Sequence, residues 1–561
     1  MTKTVQEIIE LKGELVTHYA EAHRAMALAK DYYDLNFKNI PSPSTKFPPY
    51  VPPTARAIVD KAIDHIIVGN PVITVPRRTE SEDAQTQADK LERFYNSLFK
   101  KFDANQKEPL LRTAAKFGLL CGIFVIKGPL WDVSVAVSEP KKRLLEKKER
   151  FEERMKDYED QRFRTLPIWV RAIDPATVLM SPDVWPPTYV IEVTKKNKHW
   201  LKERYNIEAK DNTEWIEYWD KDTRCFICDG KAIKGPEPNV LGYLPYLVGY
   251  AGFGYASDKP EDEIVGILNP VFSALEAEAR IHTALDFIVQ RHAYPIYFSR
   301  EDPSKVMLDL EPGQIAHIPE GYDLGIVPIP QSLPDLYRVA QAITGHIEKA
   351  TFSDVLHGVR PQGVASGYME AILVGQARLK FGSLVEALEL QGSLLMSNIA
   401  RMIEVVDEPI SVWGDEPKRT LGQTITKDDI KGHYAVSVKL SAVTPEEADR
   451  QTMLGSNLLE KGQISHLRFL EHYAMISDAS GEMKRILVEK LLAQPELMAI
   501  LARTAMEDWG MKELLEKLAP VANMGQLPPV EGAIPGQAPT PPATPGSAEE
   551  MALIEKQRLW G

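Results

Sequence analysis

Cys225-Phe226-Ile227-Cys228 has the residue types and spacing for metal or redox chemistry. A structural zinc ion takes four ligands, commonly a second cysteine pair or a histidine pair close by. The remaining cysteine is Cys121, and the nearest histidines in sequence are His199 and His282. The pair also sits in a hairpin that turns at Asp229-Gly230, and side chains three apart on a strand point to opposite faces. Two small packed residues are therefore expected, not a metal site. Gly252-Phe253-Gly254 starts like a dinucleotide fingerprint but continues Tyr255-Ala256-Ser257 and loses the third glycine. Gly358-Val359-Arg360-Pro361-Gln362-Gly363 has the glycine spacing of a phosphate loop, yet Val364-Ala365 stands where Lys and Ser/Thr would hold phosphate and magnesium. Neither H-E-x-x-H nor G-x-S-x-G occurs, and the carboxylates of Glu276/Glu278 and Asp428/Asp429 are too close in sequence to share a helical face. No catalytic group, metal or cofactor is expected, and the chain is not expected to be an enzyme.

Composition narrows the classes further. The 561 residues are 44% hydrophobic and 26% charged, the balance of a globular protein with a sizeable core, and the length predicts two to four packed regions. A formal net charge of −13 argues against a protein that grips nucleic acid by releasing counterions. It permits one past which nucleic acid slides without adhering. Three cysteines make no disulfide framework, which predicts a reducing compartment. The N-terminus opens straight into an amphipathic pattern, so no signal peptide is expected. The longest apolar runs, such as 118–126, fall far short of the ~20 residues of a membrane span, which predicts a soluble chain.

The elements that must position any site follow from periodicity. Helices are predicted over 5–34, 54–68, 81–103, 107–120, 261–292, 333–350 and a very long 366–406, with a helical region from 443 to about 519. Residues 121–137 alternate like a hairpin turning at Lys127-Gly128-Pro129. Residues 166–233 are mostly β, with strands at 168–173, 178–180 and 214–219, a short helix at about 197–205 and a hairpin at 225–233; 242–254 is a Gly/Tyr/Pro-rich loop with a short strand at 246–250. Residues 139–164 carry nearly cancelling charges and read as a solvated, projecting helix. Residues 523–547 are Pro, Gly, Ala and Thr, a composition that cannot bury a core.

Taken in order, several of these segments resemble the portal proteins of tailed bacteriophages. Helix Thr54–Val68 stops before Asn70-Pro71-Val72, and helix 107–120 runs into Gly122-Ile123-Phe124-Val125-Ile126-Lys127. Val170-Arg171-Ala172-Ile173-Asp174-Pro175 closes on Ser181-Pro182-Asp183, and Gly242-Tyr243-Leu244-Pro245-Tyr246-Leu247 follows. Two helices then bracket a compact β-containing insert. Next comes His357-Gly358-Val359-Arg360-Pro361-Gln362-Gly363-Val364-Ala365-Ser366-Gly367, similar to the family's tunnel loop and the start of the helix behind it. Last, Thr444-Pro445-Glu446-Glu447 and Lys461-Gly462-Gln463-Ile464-Ser465 resemble a strand-to-crown transition. The resemblance covers roughly residues 50–480, and its specificity lies in the order of elements.

The resemblance implies an α+β portal-type fold with a mixed wing domain, a two-helix stem, a small β-containing clip, a long kinked helix behind a tunnel loop, and a helical crown. Mapped on this chain, the wing is 1–260 with the charged helix 139–164, and the stem helices are 261–293 and 333–350 around the clip at 294–332. The tunnel loop is 351–365, the long helix and wing return 366–442, the crown 443–520 and the flexible tail 521–561. No role transfers to the charged helix or the tail. The implied function is a ring-shaped channel, usually of twelve subunits, at one capsid vertex of the virion, assembled in the bacterial cytoplasm, for packaging and ejection of DNA. Implied partners are further copies of the chain, double-stranded DNA, the large terminase subunit, major capsid or scaffold protein and a head-to-tail adaptor, with no membrane. The residues assigned to the channel are Asp354, His357, Gly358, Arg360, Gln362 and Gly363 of the tunnel loop. The competing readings are a head–tail structural protein without a DNA tunnel, and a metal-dependent nuclease using Cys225 and Cys228.

Overall fold

The computed structural model describes residues 3–41, 47–66, 71–79, 81–137, 140–142, 146–182, 184–293, 297–299, 324–326, 333–351, 379–413, 422–440, 445–474, 476 and 479–492. The chain divides into two units, Met1–Asp478 and Ala479–Gly561. The first unit opens with α1 (Val5–His18), started by a capping box in which Glu7 N donates to Thr4 Oγ1 and Thr4 N to Glu7 Oε2. The single helix expected over 5–34 is two. Tyr19, at φ −92° and ψ 4°, leaves the helical region before α2 (Ala20–Tyr33) begins. The buried stripe of Ile8, Leu15, Ala22 and Met26 runs through this break, which hides it from periodicity.

α3 (Thr54–Ile66), β1 (Val72–Thr74), α4 (Glu82–Ala104) and α5 (Leu110–Cys121) follow close to their expected places. α5 ends at Gly122, at φ +76°, where a Cβ would come within 2.4 Å of Val265 N, so glycine alone allows both the cap and the close approach. The chain then enters β2 (Ile123–Trp131).

Here the expected hairpin over 121–137 is overturned. Lys127-Gly128-Pro129 lies inside one strand, and the pairing slips between Lys127 and Leu130 as an irregularity instead of turning back. Further on come α6 (Lys148–Arg164), β3 (Ile168–Ile173), β4 (Val178–Met180), β5 (Tyr189–Lys196), α7 (Lys198–Tyr205), β6 (Thr213–Asp220), β7 (Thr223–Cys228), β8 (Lys231–Pro238) and β9 (Tyr246–Tyr250). β2 is the centre of a three-stranded antiparallel sheet, β3-β2-β9, so its partners lie far along the chain and no local turn is needed. β4 to β8 form a five-stranded meander.

The charged helix is shorter than expected, beginning at Lys148, and it does not project freely. Phe163 stacks on Trp413 with ring centroids 4.4 Å apart, and Lys101 Nζ donates to Phe163 O. The long charged run still supplies a solvated face, but one apolar residue every few turns is enough to dock it.

In the second half are α8 (Pro260–Glu263), α9 (Phe272–Ala293), β10 (Tyr297–Ser299), β11 (Leu324–Ile326), α10 (Leu333–Ala350) and α11 (Gly382–Val406). The helix expected over 261–293 is thus interrupted. Gly266 lies so close to α5 that a Cβ there would meet Leu120 O at 2.2 Å, and Ile267 N donates to Leu119 O. The chain follows α5 at that point, and Asn269-Pro270-Val271 restarts the helix as a 3₁₀ turn. Likewise, a 3₁₀ turn at Leu379–Phe381 precedes α11, so no continuous helix runs from 366 to 406; residues 366–378 lie outside the described set.

β12 (Ile410–Trp413) pairs with β13 (Gly422–Ile425), and after α12 (Lys427–Ile430) comes β14 (Ser437–Lys439), which pairs with β1. This last pairing joins residues 72–74 to 437–439 and closes the unit. α13 (Pro445–Glu460) and α14 (His466–His472) end it; α15 (Ala479–Leu492) is the described part of the second unit. The chain is a mixed helix-and-sheet protein.

Alternation on β2 sets the core. Phe124 turns toward the helices, lying against Gly118 of α5 and Gly249 of β9, and Leu384 of α11 meets the same Gly118. Val125 and Lys127, one and three residues on, face the other way, toward the meander.

Candidate functional site

Of the segment assigned to the channel, residues 352–365 lie outside the described residues, among them Asp354, His357, Gly358, Arg360, Gln362 and Gly363. Its two ends are described, and they meet. α10 finishes at Ala350, and Thr351 is buried, its Oγ1 donating to Ile347 O at 2.6 Å. From the far end, Lys380 Nζ donates to Ala350 O at 2.5 Å and Thr351 O at 2.8 Å. A cation on the last carbonyls of a helix satisfies orphaned acceptors and complements the helix dipole. Burial pulls the Lys380 ammonium below its ordinary pKa. The chain therefore leaves and re-enters at one pinned root.

Upstream of the root, α10 packs against α9, where Thr344 Oγ1 donates to the buried Glu278 at 3.1 Å. Between these helices, β10 and β11 pair antiparallel, with Tyr297 opposite Ile326 and Ser299 opposite Leu324. The other residues expected in the clip, 294–296, 300–323 and 327–332, lie outside the described set.

Cys225 and Cys228 are free and buried on β7, opposite Tyr218 and Trp215 of β6. Burial raises both thiols above their ordinary pKa, with Glu237 adding to it at Cys225 and Asp229 at Cys228. Cys121 is also free, and burial pushes it up to about 12. A thiol held protonated is a poor nucleophile and a poor ligand. Among the described residues no group of three or more His, Cys, Asp or Glu gathers where a metal could sit.

One cluster was missed by sequence reasoning. Glu192 on β5 and Glu217 on β6 are register partners in the meander, an arrangement in which like charges repel. Lys127 reaches them from the other sheet, its Nζ 2.5 Å from Glu192 Oε2 and 2.6 Å from Glu217 Oε2, all three side chains buried. Trp215 Nε1 donates to Glu217 Oε1 at 2.9 Å, and Tyr246 Oη, on the residue opposite Lys127 in β9, donates to Glu192 Oε2 at 2.7 Å. Desolvation alone would raise the Glu217 carboxyl, but Lys127 and the Trp215 hydrogen bond outweigh it, and its pKa lies below the ordinary value. Desolvation alone would lower Lys127, and the two carboxylates outweigh it, so its pKa is raised. Lys127 and Glu217 both remain charged near neutrality. With Lys127 bonded to both carboxylates, Trp215 to Glu217 and Tyr246 to Glu192, the cluster acts as a brace between the sheets. Its signal in the sequence was a charged residue set among apolar neighbours in each of three strands, Lys127 after Ile126, Glu192 between Ile191 and Val193, and Glu217 between Ile216 and Tyr218.

No known protein-family model matches this sequence, and no curated protein is similar enough to it to count as a relative.

Proposed function

We propose that this chain is the subunit of a portal, a ring through which double-stranded DNA enters and leaves a viral capsid. The observation that carries the reading is the sequence of parts after residue 272. A helix pair, α9 and α10, brackets an antiparallel strand pair, and α10 ends at a pinned root from which residues 352–378 depart before α11 begins. A stem, a clip and a channel loop need that order. The return of the chain to β1 through β14 fits a wing closed by its own C-terminal half.

The charge also fits. DNA moves freely only past a wall that does not bind its phosphates, and a net charge of −13 per subunit favours such a wall. Further copies of the chain, DNA, a terminase, capsid or scaffold protein and an adaptor are the partners this role requires.

Electron microscopy and mass photometry of the purified full chain test it. A closed ring of about a dozen subunits with an open centre is expected. A monomer at high concentration would remove the proposal, and closed particles with no central hole would favour a head–tail structural protein without a tunnel.

A further inference from the structure

Between the three-stranded sheet and the meander lies an open cleft of about 860 Å³. Its floor is the Lys127 brace, and its walls include Trp169, Trp200, Tyr205 and Trp219. Six basic side chains line it against three acidic ones, a local excess opposite in sign to the chain as a whole.

Three of these cations matter most. Arg171, Lys196 and Arg204 have no carboxylate within salt-bridge distance among the described residues, and the two carboxylates at the floor, Glu192 and Glu217, are both engaged by Lys127. Lys196 Nζ lies 4.9 Å from the centre of the Trp200 ring and the Arg204 guanidinium 6.0 Å from it. The cleft continues into an adjoining hollow that shares Trp169, Arg171 and Lys196 and adds Thr194, whose buried Oγ1 finds no hydrogen-bond partner. Trp169 is 36% exposed, a large indole left open at the junction of the two.

Indole faces offer stacking platforms, cations beside them offer charge for an attached anion, and an unpartnered hydroxyl offers a hydrogen bond. We propose that this cleft binds a planar aromatic ring carrying a phosphate, the chemistry of a nucleotide, either free or within a single strand. Duplex DNA is not such a ligand, since its base faces are stacked on one another. An acidic peptide would use the cations but leave the aromatic walls idle, and Gln106 Nε2 already donates to Val170 O on β3, the strand such a peptide would have to extend. The inference stands apart from the ring reading, as it concerns only the fold of one subunit.

Isothermal titration of the full chain tests it with AMP, with adenosine, with ribose 5-phosphate, and with single-stranded and duplex oligothymidine–oligoadenine. AMP or the single strand is expected to bind saturably, and adenosine and ribose 5-phosphate each at least tenfold more weakly than AMP. R171Q/K196Q is expected to weaken AMP and single-strand binding at least tenfold, and Trp169→Leu to weaken them several-fold, with unfolding midpoints checked to show that both variants fold. Preferential binding by the single strand assigns the site to nucleic acid, and preferential binding by AMP to a free nucleotide. No saturation by either at millimolar concentration, or unaltered binding by both folded variants, overturns the proposal. So does tight binding of an aspartate-rich peptide in the absence of nucleotide binding.

Discussion

Lys127 is a strand residue by position and a keystone by environment. Two buried carboxylates face each other across β5 and β6 only because its ammonium lies between them. Lys127→Met keeps the length of the side chain and removes the charge, leaving both carboxylates buried and unpaired, which costs about 3–5 kcal/mol. Chemical unfolding of the variant measures it, and an unchanged midpoint would show that the brace does not hold the sheets. The pH dependence has a definite sign. Glu217, depressed below 4.5, contributes stability above that pH and loses it as pH falls through its folded value. Lys127, raised above 10.5, contributes fully below that pH and loses it as pH rises through its folded value. Thermal midpoints of Glu217→Gln followed over pH are expected to show a smaller acid fall than the parent protein. The cysteine pair was legible as two packed residues from its hairpin setting, and both are buried, whereas Lys127 was visible in sequence only as part of a supposed turn. Nothing local tells a strand residue that its partners come 65 and 90 residues later.

Elements show the same division. Helices α4, α5 and α10 lie where apolar spacing put them, because each buries one stripe whose period is intrinsic to the helix. Short strands differ. β1 is three residues long and is held on one side by β14 and on the other by a side chain: Asn96 Nδ2 donates to Ile73 O, and Ile73 N donates to Asn96 Oδ1. Asn96→Leu strands that N–H and C=O, at about 1–3 kcal/mol for each buried group left unsatisfied. Hydrogen exchange at Ile73, compared with the parent, reads the loss directly; equal protection would mean that β14 alone holds the strand. α6 departs from expectation through Phe163, whose ring lies between Trp413 and Gly422. Phe163→Ala is expected to speed tryptic cleavage within 148–164 severalfold, while a helix already free in solvent would be cut at the same rate in both proteins.

At the scale of the whole molecule, the proposed ring separates assembly from traffic. The root pinned by Lys380 fixes where residues 352–378 depart, so substitutions beyond it leave α10 and α11 in place. H357A/R360A is accordingly expected to leave ring formation intact and to change DNA packaging or retention in a packaging reaction; normal packaging would remove the channel role from these residues. The amino-acid sequence by itself determined the mixed helix-and-sheet character, the places of the long amphipathic helices, the buried cysteines and the acidic balance, all of which depend on residue type or on neighbours within a few turns. Only the tertiary structure decided that β2 is a single strand, that the helix before Phe272 is interrupted where Gly266 meets α5, and that a lysine and two glutamates share one buried point. Pairing between distant strands and the contact of a backbone with a remote helix are set by the sum of packing across the molecule. A local pattern of residues carries no record of them.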